Sequence, residues 1–130
     1  MRLPRPLFHL ARLADAVLFW PALTFVVWGE LVAPEGRGLL NFLARINDKA
    51  LHFIAYFILG AMAAAALKAR RRVILAVLGL IAVGAVLELL QGYVGRDMSA
   101  YDELANIAGV VLGSSAARVI VQALRNRIAA

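Results

Sequence analysis

The chain has 130 residues, of which 63% are hydrophobic and only 17% charged, and its mean hydropathy is +0.81. A domain this small leaves much of its surface exposed, and it could not bury this amount of apolar surface. The composition therefore excludes a water-soluble globule. The net charge of +6 comes from basic residues that lie between hydrophobic runs, which is typical of topology signals rather than of a nucleic-acid-binding surface. No cysteine is present, so disulfides and thiolate metal sites are excluded.

The first apolar run, 14–33, follows three arginines and predicts a membrane-spanning helix. Basic residues before an apolar run are also typical of a signal peptide, but this run is long and no clear small-x-small cleavage site follows it. A retained helix is therefore the favoured interpretation. Pro21 removes a backbone hydrogen bond and is expected to kink this helix.

Pro34, Gly36 and Gly38 predict a loop, and the stretch 39–46 after it has the apolar spacing of a short interfacial helix. Asn47 or Asp48 can cap the helix that follows. That second span, 50–67, measures about 27 Å at helical rise, close to the thickness of the hydrocarbon core. It ends at the basic cluster 68–72.

The third span, 73–90, carries Glu88 near its far end, with Gln91 one turn further on. The fourth span, 104–124, has a stripe of small residues at helical spacing, which predicts close packing against another helix. These residues are Ala105, Gly109, Gly113 and Ala117. Residues 1–130 are therefore expected to form one domain, an all-α polytopic membrane protein with a bundle of four transmembrane helices.

The distribution of lysine and arginine predicts the orientation. The amino-terminal tail, the 68–72 loop and the carboxyl terminus are basic, whereas the other two loops mix charges of both signs. Basic segments stay on the cytoplasmic side, so both termini are expected there and the mixed loops outside. Four spans also put both termini on the same side of the membrane, so the number of spans agrees with the distribution of charge.

This orientation brings polar groups from three distant segments to the outer ends of the spans. A polar group inside an apolar span is costly unless it faces protein or water, so these side chains are expected to face one another. They are Asp48, Lys49 and His52 on the second span, Glu88 and Gln91 on the third, and Arg96, Asp102 and Asn106 around the start of the fourth. The sequence thus predicts an outward-facing polar pocket.

The order and spacing of these residues resemble the VanZ-like family. The match covers residues 48–113 and is carried by Asp48-Lys49-x-x-His52-Phe53-x-x-Tyr56, Glu88-x-x-Gln91, and Arg96 followed by Asp102, Asn106 and Gly109. The resemblance implies a small protein of the bacterial plasma (inner) membrane, with a namesake associated with resistance to the glycopeptide teicoplanin. Some members carry a phosphotransbutyrylase label, but this chain offers no glycine-rich loop that would cradle the phosphates of coenzyme A.

The pocket residues divide into three candidate roles. His52 and Glu88 are the candidate acid–base pair, because a histidine titrates near neutral pH and a carboxylate inside a span is expensive to keep. Lys49 and Arg96 are candidate anion contacts. Gln91, Asp102 and Asn106 are candidate residues that orient the ligand, and Asp48 is a further candidate binding residue.

Structural roles are the alternatives for the same residues. His52 can hold the bundle together through Glu88 or Asp102, Arg96 can form a rim salt bridge, and Asp102 can cap the fourth span. Tyr56 is interpreted as packing, and Asp15 and Glu30 are placed near opposite interfaces. His52, Glu88 and Asp102 are a weak metal signal, so neither a metal nor a cofactor is predicted.

Three functions follow from this pocket. The leading hypothesis is binding of, or acid–base chemistry on, a membrane lipid or lipid-linked envelope substrate. The first alternative is a non-catalytic accessory or assembly protein whose polar network only sets helix packing. The second is a small proton-coupled transporter, which is less favoured because the polar groups do not line a path across the membrane. Enzymatic activity and oligomeric state stay open, and no nucleic-acid partner is expected.

Overall fold

The computed structural model describes residues 5–32 and 48–129, which form four helices. They are α1 (Arg5–Leu31), α2 (Asp48–Ala66), α3 (Arg70–Tyr93) and α4 (Ala100–Ala129). Each of the four is long and apolar enough to cross a membrane, and no strand occurs in the described ranges. The predicted all-α membrane fold is confirmed, whereas the predicted loop and interfacial helix at 34–46 lie outside the described residues.

The helices extend beyond the predicted spans at most of their ends. Hydropathy identifies only the part of a helix that suits hydrocarbon, whereas the backbone hydrogen bonds continue into the interface. For this reason α1 begins at Arg5 instead of residue 14, and α4 runs from Ala100 to Ala129 instead of from 104 to 124. Helix α1 continues unbroken through Pro21.

Two arginine contacts show how the helix ends are grouped. Arg12 Nη2, near the start of α1, donates to the Ala66 carbonyl at the end of α2 at 2.6 Å. Arg118 Nη1, in the second half of α4, donates to the Lys68 carbonyl at 3.2 Å. We call this the basic end; it contains Arg12, Lys68, Arg70, Arg71, Arg72, Arg118 and Arg125. The helices therefore alternate in direction, as predicted, and their opposite termini form the polar end.

Glycines allow α2 and α4 to approach closely. A Cβ atom built on Gly113 would collide with the Phe57 carbonyl oxygen, and one on Gly109 would collide with the Phe53 carbonyl oxygen. In return, a Cβ on Gly60 of α2 would lie 2.6 Å from the Val110 carbonyl oxygen. The close-packing role predicted for the small-residue stripe of α4 is confirmed.

The core lies between the helices and is apolar over most of its length. Tyr56, Leu59, Leu80 and Val110 form one buried cluster against which α1 packs, and Ala64, Val73 and Ala117 form a second towards the basic end. Large apolar side chains cover much of the outside; on α1 they include Leu10, Leu13, Val17 and Trp20. An apolar exterior is what a bilayer solvates, and it leaves the polar residues at the two ends.

Candidate functional site

His52 lies at the centre of the polar end and meets all four helices. Its side chain is 5% exposed. Nδ1 lies 3.0 Å from Asn106 Oδ1 and 3.7 Å from Glu30 Oε1, while Nε2 lies 4.0 Å from Glu88 Oε1. One imidazole on α2 therefore joins an amide on α4 with carboxylates on α1 and α3.

Asn106 determines which nitrogen of the imidazole carries a hydrogen. Its Nδ2 donates to Glu103 Oε2 at 3.1 Å, so its Oδ1 faces His52 and acts as the acceptor. The His52 Nδ1 is then the donor of that bond. In the neutral imidazole this leaves the lone pair on Nε2, on the side that faces Glu88.

Glu88 has one oxygen bound and one free of hydrogen bonds within the described part of the chain. Oε2 accepts the backbone N–H of Ser99 at 3.0 Å, and the Ser99 carbonyl accepts the first N–H groups of α4, from Asp102 and Glu103. In a capping box the side chain of the third helical residue, here Asp102, would accept the backbone N–H of the capping residue Ser99. Here Glu88 of α3 does so, which leaves Asp102 to pair with Lys49 Nζ at 3.6 Å.

Arg96 connects the loop before α4 to the end of α1. Its Nη1 group donates to the carbonyl oxygens of Gly29 and Glu30, both at 3.0 Å, and to that of Val32 at 3.3 Å. The last carbonyls of a helix have no partner within the helix, so a guanidinium is well suited to bind them. This contact differs from both roles suggested by the sequence, and it holds Glu30 at the depth of His52.

Buried polar atoms without hydrogen-bond partners concentrate at this end. Within the described ranges they are Glu30 Oε1 and Oε2, Tyr56 Oη, Glu88 Oε1, Gln91 Nε2 and Asp102 Oδ1. Leaving one such group unsatisfied costs about 1–3 kcal/mol, and the nearby ion pairs offset only part of that cost. This unused hydrogen-bonding capacity is concentrated at one end of the bundle, where polar groups of a ligand could satisfy it.

Sequence reasoning missed part of this site. Glu30 was expected only near an interface, but it is buried against His52. Tyr56 was expected as packing, and its ring is fully buried in the core, yet its hydroxyl faces the Glu30 carboxylate without reaching hydrogen-bonding geometry. The signal for Glu30 was present, because helix alternation already put the end of the first span beside the start of the second.

Removing the Arg96 contact is expected to loosen α1. Arg96→Met keeps the aliphatic stem but loses the donors to three carbonyls, two in the last turn of α1 and one just after it, and hydrogen bonds to charged groups are worth about 1.5–3 kcal/mol. Thermal unfolding in detergent should show a lower midpoint than wild type. Arg127→Met, at an exposed helix end, is the control and should change little. An unchanged midpoint in Arg96→Met would show that these bonds do not hold α1.

All eight residues predicted for the pocket lie at the polar end. His52, Glu88 and Asn106 form its centre, Lys49 and Asp102 pair beside it, Gln91 is buried, Asp48 is exposed at the start of α2, and Arg96 binds α1. No protein-family model, no curated protein and no solved structure matches the chain, so its function is inferred from these residues and their geometry.

Proposed function

We propose that this chain is a VanZ-like protein of the bacterial plasma membrane and that its polar end binds the headgroup of an envelope-related amphiphile. The observation that carries the binding proposal is the group of buried polar atoms without hydrogen-bond partners at the end of the apolar bundle that contains His52. The family assignment depends on the motif residues of 48–113 alone.

A lipid or lipid-linked molecule suits both surfaces that meet at this end. The sides of the bundle expose apolar side chains that can contact acyl chains, whereas the polar end offers carboxylate, amide, imidazole and hydroxyl groups. Tyr93, which is 88% exposed, and Tyr101 lie on the rim. Tyrosine is favoured at membrane–water interfaces, so the rim is expected to lie at the level of the headgroups.

The chemistry available to a bound headgroup is proton transfer. Nε2 of His52 carries the lone pair and lies 4.0 Å from Glu88 Oε1, too far for a direct hydrogen bond. A hydroxyl or water placed between these two atoms would be within reach of both. His52 would accept its proton as general base, with Glu88 stabilising the imidazolium that forms.

The accessory or scaffold function is the second candidate, and the interhelix contacts of the polar end favour it. Arg96 and Glu88 each bind the backbone of another segment, as a device for setting helix position would. Transport is less favoured because the buried residues between the two ends are mostly apolar, among them Leu59, Ala63 and Leu80.

The proposed orientation places the basic end in the cytoplasm and the polar end outside. The chain has no cysteine, so single cysteines report position cleanly. In intact cells Asp97→Cys should react with an impermeant thiol reagent and Ala69→Cys should not. Asp97 is preferred to Gly95, whose φ of +79° disfavours a side chain. The reverse labelling pattern would place the polar cluster on the cytoplasmic side.

The headgroup proposal predicts a specifically bound amphiphile. Native mass spectrometry of protein purified in mild detergent should show a bound lipid-sized mass in wild type, reduced at least severalfold in His52→Gln. Arg70→Gln, a charge change at the basic end, is the control and should retain the mass. Equal occupancy in all three proteins, or no bound mass in wild type, would refute binding at His52.

A further inference from the structure

Acidic groups outnumber basic groups at the polar end. Five carboxyl groups surround the site, and the two fixed cations among the site residues are Lys49 and Arg96, so acidic groups exceed fixed cations by three. The carboxylates are those of Glu30, Asp48, Glu88, Asp102 and Glu103. An anionic headgroup alone would increase this excess. A positively charged ligand would reduce it, and buried charges need such compensation.

Three side chains at the polar end, two of these carboxylates and His52, bring metal-ligating atoms together. Asp48, His52 and Asp102 each offer one ligand atom, and these atoms all lie within 4.8 Å of one another. Asp48 and His52 stand four residues apart on α2 and so share a face, while Asp102 comes from the first turn of α4. Two ligand atoms of a tetrahedral zinc ion lie roughly 3.3 Å apart, so the group must contract. Asp48 is exposed at the helix start, so its side chain has room to turn inward.

A second observation points to a ligand at this position. Asp102 is only 3% exposed, and its Oδ1 has no hydrogen-bond partner. Oδ1 is paired with Lys49 Nζ at 3.6 Å, and the Lys49 side chain is 53% exposed. An ammonium group that reaches into water can withdraw from Asp102 when a stronger cation binds.

His52 is already held as a metal-binding histidine usually is. A ligating imidazole donates its other ring N–H to an acceptor, which fixes the tautomer and the orientation of the ring. Here Nδ1 donates to Asn106, which is itself oriented by Glu103, so Nε2 carries the free lone pair. In a metal site Nε2, which lies 4.0 Å from Glu88 Oε1, would be the ligand atom, and Nδ1 would keep its bond to Asn106.

We propose that Asp48, His52 and Asp102 form a site for a divalent first-row transition cation, either Zn²⁺ or Mn²⁺, at the polar end. One imidazole with two carboxylates favours these ions over Ca²⁺ and Mg²⁺, which prefer oxygen donors. The sequence alone predicted no metal, because the burial of Asp102 and the orientation of His52 are visible only in the fold. The site does not depend on the proposed function. Where both hold, the cation links the acidic cluster to an anionic headgroup.

The test is metal binding by untagged protein that has been stripped with a chelator and purified in detergent. Isothermal titration should give one ion of Zn²⁺ or Mn²⁺ per chain, and that ion should raise the unfolding midpoint by several degrees. Ca²⁺ should not. Asp48→Asn and His52→Gln should each weaken binding at least tenfold.

The controls make the same chemical changes at residues outside the proposed metal site. Asp97→Asn removes a carboxylate from the neighbouring exposed loop, and His9→Gln removes the other histidine, near the basic end. Both should bind as wild type does. Asp48 is exposed, so Asp48→Asn is expected to fold normally even where a variant of buried His52 does not. If wild type binds neither Zn²⁺ nor Mn²⁺, or if wild type and Asp48→Asn bind the ion equally well, the proposed metal site is wrong. These measurements report metal binding and not lipid binding, so a failure here leaves the headgroup proposal standing.

Discussion

Replacing Gly113 by leucine is expected to remove most of the folded protein from a detergent extract. A single Cβ atom at this position already collides with the Phe57 carbonyl oxygen, and leucine adds three further carbons. Overpacking of a core that can adjust costs about 1–3 kcal/mol. Here the obstacle is the backbone of α2, so the two helices must separate and the cost should reach or exceed the upper end of that range.

Two controls isolate the effect of close approach. Gly79→Leu places the same side chain on α3, where nothing lies within 4 Å of a built Cβ. Leu112→Ile alters the neighbouring residue, which is 54% exposed on the outside of α4. Both should stay close to wild type in monodisperse yield and unfolding midpoint. If Gly113→Leu unfolds at the wild-type midpoint, α2 and α4 do not pack as described.

Glu88→Ala is expected to have the largest effect at the polar end. It removes the acceptor of the Ser99 N–H and the carboxylate that faces His52. Deleting one partner of a buried pair typically costs about 3–5 kcal/mol, a large part of the stability of a small protein.

Glu88→Gln should be much milder than Glu88→Ala, because an amide keeps an acceptor for Ser99 and has nearly the same shape. Thermal unfolding in detergent compares the two variants. Asp15→Asn, outside the polar cluster, is the control. Equal destabilisation by alanine and glutamine would mean that the negative charge, and not the hydrogen bond to Ser99, holds this region together.

The fold was predictable because its determinants are local. Apolar runs of membrane-spanning length predict helices, and basic loops predict their alternation. The spacing of Gly109 and Gly113 predicts a face that packs closely, and α2 is the helix that meets it. What hydropathy does not specify is where a helix ends in the interface, so α1 and α4 are longer than the predicted spans.

For the candidate site, the membrane depth of the residues was predictable from the sequence, but their individual contacts were not. Alternating helices put His52, Glu88 and Asn106 at one level whatever their rotation about the helix axes. The bonds of Arg96 to α1 and of Glu88 to Ser99 are contacts between a side chain and backbone, and they depend on loop conformation that no spacing rule specifies. Glu30 was overlooked because a single acid at the end of a span has an ordinary explanation at the interface.

The proposed function requires the cluster around His52 to be a functional site and not only a scaffold. The most direct test measures the stability of Glu88→Gln and His52→Gln in detergent beside their ability to complement a deletion strain. Both variants are expected to fold and insert normally yet fail to complement, because a reactive site requires charge or proton transfer and not merely hydrogen bonding. Stable variants that complement fully would contradict the reactive pair, and unstable variants that fail would favour the scaffold.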